Sequence, residues 1–203
     1  MSVGIIKYNA GNIFSVRCAL QRIGVDALVT DNQQQLLTCD KIIFPGVGEA
    51  STAMAHLRAT GLDKLILTLR QPVLGICIGM QLLCEHSDEG DVDCLGVFDR
   101  LTVKRFDNSN HNGDFKIPHM GWDTIKVEHD NALLPANLTG EYVYYVHSFY
   151  APKSERYTIA STDYIVPFSA ALHKDNFYAT QFHPEKSGEV GERILRNFIE
   201  LKG

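Results

Sequence analysis

Pro72-Val-Leu-Gly-Ile-Cys-Ile-Gly-Met-Gln-Leu-Leu83 changes its period at the middle. The apolar run from Pro72 to Ile76 reads as a buried strand, and the apolar spacing after Gly79 reads as a helix. Cys77 stands at the junction, with Gly75 and Gly79 two residues to either side. A sharp strand-to-helix turn around one reactive side chain is a nucleophile elbow, and its glycines let the chain pack closely where the turn is strained. Such a turn lifts the thiol off the sheet and sets it at a helix N-terminus, whose free N–H groups favour a thiolate and can hold an oxyanion. A buried structural cysteine in an apolar run is the competing reading. The flanking glycines weigh against it.

Outward from the elbow, strand-like and helix-like segments alternate through the first half. Strands are predicted at Val3 to Lys7, Ala27 to Thr30, Lys41 to Phe44 and Pro72 to Ile76. Helices are predicted from Ile13 to Ile23, stopped by Gly24, from Ala50 to Ala59, stopped near Gly61, and from Leu62 to Leu69. Cys84, seven positions after Cys77, reads as a core residue two turns along the elbow helix. Repeated β-α-β units imply an α/β fold in three layers, a mostly parallel, right-handed central sheet with helices on both faces. After about Gly96 the pattern turns β-rich. Val97 to Phe106, Asp123 to Glu128, Tyr142 to Tyr150, Thr158 to Thr162, Ala170 to His173 and Phe177 to Phe182 read as strands, which predicts antiparallel additions to the sheet. Gly188 to Leu201 closes the chain as an amphipathic helix, and the polar stretch Asp107 to Asp114 reads as a mobile surface loop. With 203 residues and no linker or repeat, residues 1–203 are expected to form one domain.

The net charge of −5 gives no reason to expect nucleic acid or an anionic membrane surface as a partner. No apolar run reaches bilayer-spanning length, and Val3-Gly-Ile-Ile6 follows the N-terminus without a signal-peptide pattern, so a cytoplasmic location is expected. Five cysteines (Cys18, Cys39, Cys77, Cys84 and Cys94) contain no C-x-x-C pair, which argues for reduced thiols rather than a disulfide framework or a zinc site. No metal or cofactor is expected. Asn137-Leu-Thr139 matches a glycosylation acceptor, but without a secretory signal it carries no weight.

A cysteine nucleophile needs a base and a group that orients the base. Tyr178-Ala-Thr-Gln-Phe-His-Pro-Glu185 reads as a strand running into a turn, in which His183 and Glu185 would project to one face with Pro184 fixing the backbone. Alone, this could be a surface turn. A third segment, Ile42-Ile-Phe-Pro-Gly-Val-Gly48, is a strand entering a glycine turn whose peptides can approach a neighbour closely.

Together these three segments resemble the class I, triad-type glutamine amidotransferases, over nearly the whole chain. Further local features, Lys7-Tyr-Asn-Ala-Gly-Asn-Ile13, Phe44-Pro-Gly-Val-Gly-Glu-Ala50, Lys116-Ile-Pro-His-Met-Gly-Trp122 and Tyr145-Val-His-Ser-Phe149, resemble the glutaminase subunits of imidazole glycerol phosphate synthases. Pro-His-Met-Gly-Trp is the most discriminating of them, and Lys7-Tyr8-Asn9 departs from the Asp-Tyr-Gly associated with many members.

The resemblance implies the three-layer, flavodoxin-like amidotransferase fold and a Cys77-His183-Glu185 triad that hydrolyses the side-chain amide of glutamine through a thioester. Oxyanion donors are implied at Ile78 and within Gly46, Val47 and Gly48. Gln81, one helical turn after Cys77, and Glu89 match residues that contact substrate glutamine, and the backbone of Ser148 and Phe149 matches groups that hold its other end. The implied partner is a cyclase subunit with a (β/α)₈ barrel, forming a heterodimer through which ammonia passes. Pro118, His119, Met120, Gly121 and Trp122, with Asn12 and Lys186, match the interface. By composition alone Met120 and Trp122 would be core residues. The motifs leave two other functions open, the same glutaminase serving a synthase that amidates a sugar or a nucleotide-linked sugar and a non-catalytic module on this scaffold, while a peptidase on the same elbow leaves Gln81 and Pro-His-Met-Gly-Trp unexplained.

Overall fold

The computed structural model describes residues 1–8, 12–109 and 115–202. Its strands are β1 (Val3–Ile6), β2 (Ala27–Thr30), β3 (Lys41–Phe44), β4 (Val73–Ile76), β5 (Cys84–Ser87), β6 (Val92–Asp93), β7 (Phe98–Arg105), β8 (His119–Thr124), β9 (Lys126–Val127), β10 (Tyr142–His147), β11 (Phe149–Tyr150), β12 (Thr158–Asp163), β13 (Pro167–Lys174) and β14 (Phe177–Thr180). The helices are α1 (Ile13–Arg22), α2 (Gln33–Thr38), α3 (Ala50–Thr60), α4 (Leu62–Thr68), α5 (Ile78–Leu83) and α6 (Gly188–Glu200).

The central sheet runs β2-β1-β3-β4-β14-β13-β12-β9. Its first five strands are parallel, and β13, β12 and β9 extend it antiparallel. Alternation along the parallel strands divides the interior into two cores, because successive side chains leave a strand on opposite faces. Val3 and Ile5 of β1, Ile43 of β3 and Leu74 and Ile76 of β4 pack with Val16 and Leu20 of α1 and with Ile194, Leu195 and Phe198 of α6. Ile6, Ile42, Phe44 and Val73 face the other way, onto Leu36 of α2, Met54 and Leu57 of α3, Leu65 of α4 and Met80 and Leu83 of α5. Two smaller sheets, β8 with β10 and β11-β7-β5-β6, complete the fold, and β5 and β6 begin the β-rich region before Gly96.

Several boundaries differ from expectation. Helix α2 lies in a polar stretch with no apolar period, and Asn32 caps it by accepting from the Gln35 N–H at 3.1 Å. Cys84 is fully buried but is not helical, since α5 ends at Leu83 and Cys84 opens β5. The single strand expected over Asp123 to Glu128 is two, because the chain leaves β8 at Thr124 and β9 joins the other sheet through β12. Tyr142 to Tyr150 is likewise divided at Ser148. Asn9 of the divergent opening segment and residues 110–114 of the expected loop lie outside the described residues.

Candidate active site

The site lies at the carboxyl ends of neighbouring parallel strands, where open α/β sheets place their crevices. Cys77 follows β4 with φ 53° and ψ −107°, a backbone state rare for any residue with a Cβ, and it caps α5. Its amide donates to the Thr180 carbonyl at 2.7 Å, tying the turn to the adjacent end of β14. The two flanking glycines hold the elbow tight. A methyl at Gly75 would lie 2.8 Å from Leu83 Cδ1 and 3.0 Å from the Gly79 carbonyl, and one at Gly79 would collide with the Phe44 carbonyl oxygen of β3.

His183 and Glu185 come from the segment after β14. The strand alternation expected to bring them to one face is not what joins them; His183 is extended and Pro184–Lys186 forms a 3₁₀ turn that folds Glu185 back onto the imidazole. His183 Nδ1 lies 2.7 Å from Glu185 Oε1, both side chains being buried. The carboxylate accepts, so Nδ1 carries the proton. The same Oε1 accepts from Asn12 Nδ2, whereas His183 Nε2 and Glu185 Oε2 make no hydrogen bond among the described residues. Burial opposes the imidazolium, but the nearby Cys77 sulfur, and then the hydrogen bond and charge of Glu185, outweigh it and raise the His183 pKa to about 10. Ser187 Oγ donates to the His183 carbonyl at 2.6 Å, and the His183 N–H donates to the Tyr144 carbonyl of β10 at 2.9 Å, so the turn is fixed from both sides.

The thiol opens on a cleft of about 230 Å³ lined by Val47, Gly48, Cys77, Ile78, Gln81, Glu89 and the stretch Val146 to Phe149. The expected oxyanion residues and glutamine contacts are thus brought together. Gly46 lies just behind them, and a Cβ there would fall 2.5 Å from Ile78 Cγ2. Tyr8 donates to the Pro45 carbonyl at 2.7 Å, anchoring this segment. Gly48 has φ 124°, a conformation strained for other residues. Glu89 Oε2 accepts from the Ala50 N–H at 2.9 Å at the start of α3, and burial raises its pKa.

Gln81 is buried, and its Nε2 donates to the Phe149 carbonyl and to Gln181 Oε1, both at 2.9 Å. Gln181 Nε2 in turn lies 3.7 Å from Cys77 Sγ. Gln181 was not among the expected residues, although a polar residue two before His183 in an apolar strand was a readable signal. His147, also not anticipated, lines the cleft with Nδ1 2.8 Å from the Phe149 carbonyl, and burial lowers its pKa to about 3.

The residues expected at a partner interface divide. Met120 and Trp122 are 61% and 55% exposed, so composition misplaces them as core. Pro118 and Lys186 are exposed and Gly121 partly so, with Lys186 Nζ over the Tyr144 ring. His119 is buried, stacked between Tyr145 and Tyr164, because alternation along β8 turns it opposite to Met120. Asn12 points inward to the triad carboxylate.

Residues 5–201 match the family described as Glutamine amidotransferase class-I. The chain is 61% identical over 201 residues to the imidazole glycerol phosphate synthase subunit HisH of Bacteroides thetaiotaomicron, covering 99% of this chain and 100% of that one. The protein of the same name from Idiomarina loihiensis is 44% identical over 201 residues, covering 99% and 98%. Among solved structures, one described as PurLQS from Thermotoga maritima is similar with a TM-score of 0.71 at 18% identity, covering 98% of this chain and 97% of that one. Another, described as a glutamine amidotransferase, gives a TM-score of 0.74 at 20% identity, covering 98% of each chain. At these identities the solved structures speak for the fold alone.

Proposed function

The chain belongs to the class-I glutamine amidotransferase family, in its imidazole glycerol phosphate synthase subunit HisH branch, and from that premise we propose that it hydrolyses L-glutamine through a thioester on Cys77 and delivers the ammonia to a cyclase subunit. The observation that carries this reading is a thiol at a strained elbow, backed by a buried imidazole–carboxylate pair and opening on a cleft with glutamine-sized polar groups.

Cys77 sulfur attacks the side-chain amide carbon, and the carbonyl π electrons move to oxygen. The Ile78 N–H, one of the first-turn donors of α5, meets that oxygen, as does a donor from Gly46 to Gly48; one such donor is worth roughly 10²–10³ in rate. His183, protonated on both nitrogens in the resting pair, passes its Nε2 proton to the departing nitrogen, so that ammonia leaves as the C–N bond breaks. Neutral His183 then takes a proton from water, hydroxide displaces sulfur from the thioester, and glutamate is released with the thiolate–imidazolium pair restored. Glu185 keeps the Nδ1 proton in place and offsets the imidazolium charge throughout. Glu89, Gln81 and the Ser148 and Phe149 backbone orient the substrate.

Ammonia is captured by protons if released into water, which favours delivery inside a complex. The partner is a cyclase of (β/α)₈ form, docking as a heterodimer on the surface bearing Pro118, Met120, Gly121, Trp122 and Lys186, with His119 behind that surface. The proposed location is the cytoplasm; no helix among the described residues is long and apolar enough to cross a membrane. A diazoketone analogue of glutamine tests the chemistry. It should alkylate Cys77 alone among the five cysteines, and glutamine should protect against it. Labelling elsewhere, or no protection, would overturn the assignment.

A further inference from the structure

Between the cleft and the Cys77 sulfur runs a chain of hydrogen bonds whose direction is forced. The Phe149 carbonyl can only accept, so the Gln81 side-chain atom 2.9 Å from it must be Nε2. That nitrogen only donates, so the Gln181 atom 2.9 Å from it must be Oε1. The remaining end of Gln181, Nε2, therefore faces Cys77 Sγ at 3.7 Å. Flipping either amide would set like groups against each other, and with Gln181 fully buried and Gln81 nearly so, water cannot repair the mismatch.

We propose that Gln181 is a positioning residue for the glutaminase reaction, whose Nε2–H donates to the Cys77 sulfur and favours its thiolate form while its Oε1 holds Gln81 against the substrate loop. An N–H donor is matched far better by S⁻ than by S–H. His183 also favours the thiolate, but it must surrender its proton during the reaction; Gln181 is uncharged and keeps its donor throughout. One side chain thereby links the nucleophile to the loop that recognises substrate.

The inference rests on Cys77 being the nucleophile. Around the sulfur stand His183 from the turn after β14, Tyr8 after β1, and, across the cleft, His147 of β10 and Glu89 after β5. Burial holds the Tyr8 phenol above its usual range, and burial keeps His147 neutral near neutral pH. Since Gln181 has no charge to titrate, its contribution is a displaced midpoint with no added titration step.

The test is the pH dependence of Cys77 alkylation by iodoacetamide in the full chain, read peptide by peptide so that the part-exposed Cys18 serves as reference. In Gln181→Met, which removes both ends of the amide, the midpoint should rise by about one pH unit, the size expected of a charge-assisted hydrogen bond. In Gln181→Glu, which keeps an acceptor for Gln81 but sets an oxygen against sulfur, it should rise further, with Cys18 unmoved. A Gln181→Glu chain that alkylates along the parent profile would overturn the proposal and leave Gln181 as a mere prop for Gln81. Should neither variant fold, the side-chain NH₂ resonance of Gln181 in the parent decides: it should move with pH in step with Cys77 alkylation and stand still in Cys77→Ala, and indifference to Cys77 would overturn the proposal. Glutamate formation that survives Cys77→Ala would instead sink the nucleophile assignment, which keeps the two failures apart.

Discussion

Glu185 carries two neighbours on one oxygen. Its Oε1 accepts from His183 Nδ1 and from Asn12 Nδ2, so the carboxylate is both the orienter of the imidazole and the anchor of the residue before α1. Burial alone would strip His183 of its proton; the sulfur and the carboxylate reverse that and hold it charged to about pH 10. Glu185→Gln should therefore drop the His183 titration midpoint, followed by NMR of the ring, well below that value and lower kcat by roughly 10²–10⁴. A variant with the parent's midpoint would contradict the electrostatic role. Asn12→Ala should cost less, because the Nδ1 bond remains. The pairing of His183 with Glu185 was legible in the sequence, but its geometry was not: alternation was the expected device, and Pro184 instead starts a 3₁₀ turn. The contact from Asn12 was invisible, since nothing local connects residue 12 to residue 185; the φ of 73° that aims the side chain is set by the fold.

The elbow works as an element because α5 presses against both neighbouring strands. Gly79→Ala drives a methyl into the Phe44 carbonyl, backbone against backbone, and should destabilise by about 2–3 kcal/mol or more in denaturant unfolding, since overpacking a rigid contact finds no side chain to yield. Gly48→Ala meets nothing within 4 Å, yet its φ of 124° suits glycine alone. It should cost about 1–3 kcal/mol through backbone strain and reduce glutamine turnover by re-aiming the peptides that face the thiol. Equal loss of stability without loss of turnover would remove Gly48 from the oxyanion segment. The strands, the elbow and the glycine stops at Gly24 and Gly61 were readable because apolar periods and left-handed glycines leave local marks. Helix α2 left none; its polar sequence is held by an Asn32 cap and by burial of Leu36. The division of the second half into separate strands depends on which sheet each segment joins, a choice made by tertiary packing.

At the scale of the molecule, β1, β3, β4 and β14 deliver Asn12, the Gly46–Gly48 segment, Cys77 and His183 to one end of a parallel sheet, and the β8–β10 pair lies against the triad turn. Tyr144 of β10 accepts from the His183 N–H and pairs with Trp122 of β8, so the exposed face proposed for docking is one strand from the base. Trp122→Ala should abolish or strongly weaken binding of the cyclase while leaving the unfolding free energy within about 0.5 kcal/mol of the parent, as for an exposed residue. Acid should act through His147. Its folded pKa of about 3 lies below the unfolded value near 6.5, so the unfolded chain takes up the proton first and stability falls as pH drops from about 6.5 to 3. Unfolding curves of His147→Gln should lack the upper part of that decline. The triad motifs alone left the acceptor synthase open; 61% and 44% identity over 201 residues to proteins named imidazole glycerol phosphate synthase subunit HisH narrows it. The most direct measurement is glutamate release from glutamine by the chain, alone and with the cyclase and its nucleotide substrate, beside Cys77→Ala. The account predicts a rate that rises in the complex and vanishes in Cys77→Ala; glutamate formation that persists without the thiol would contradict it.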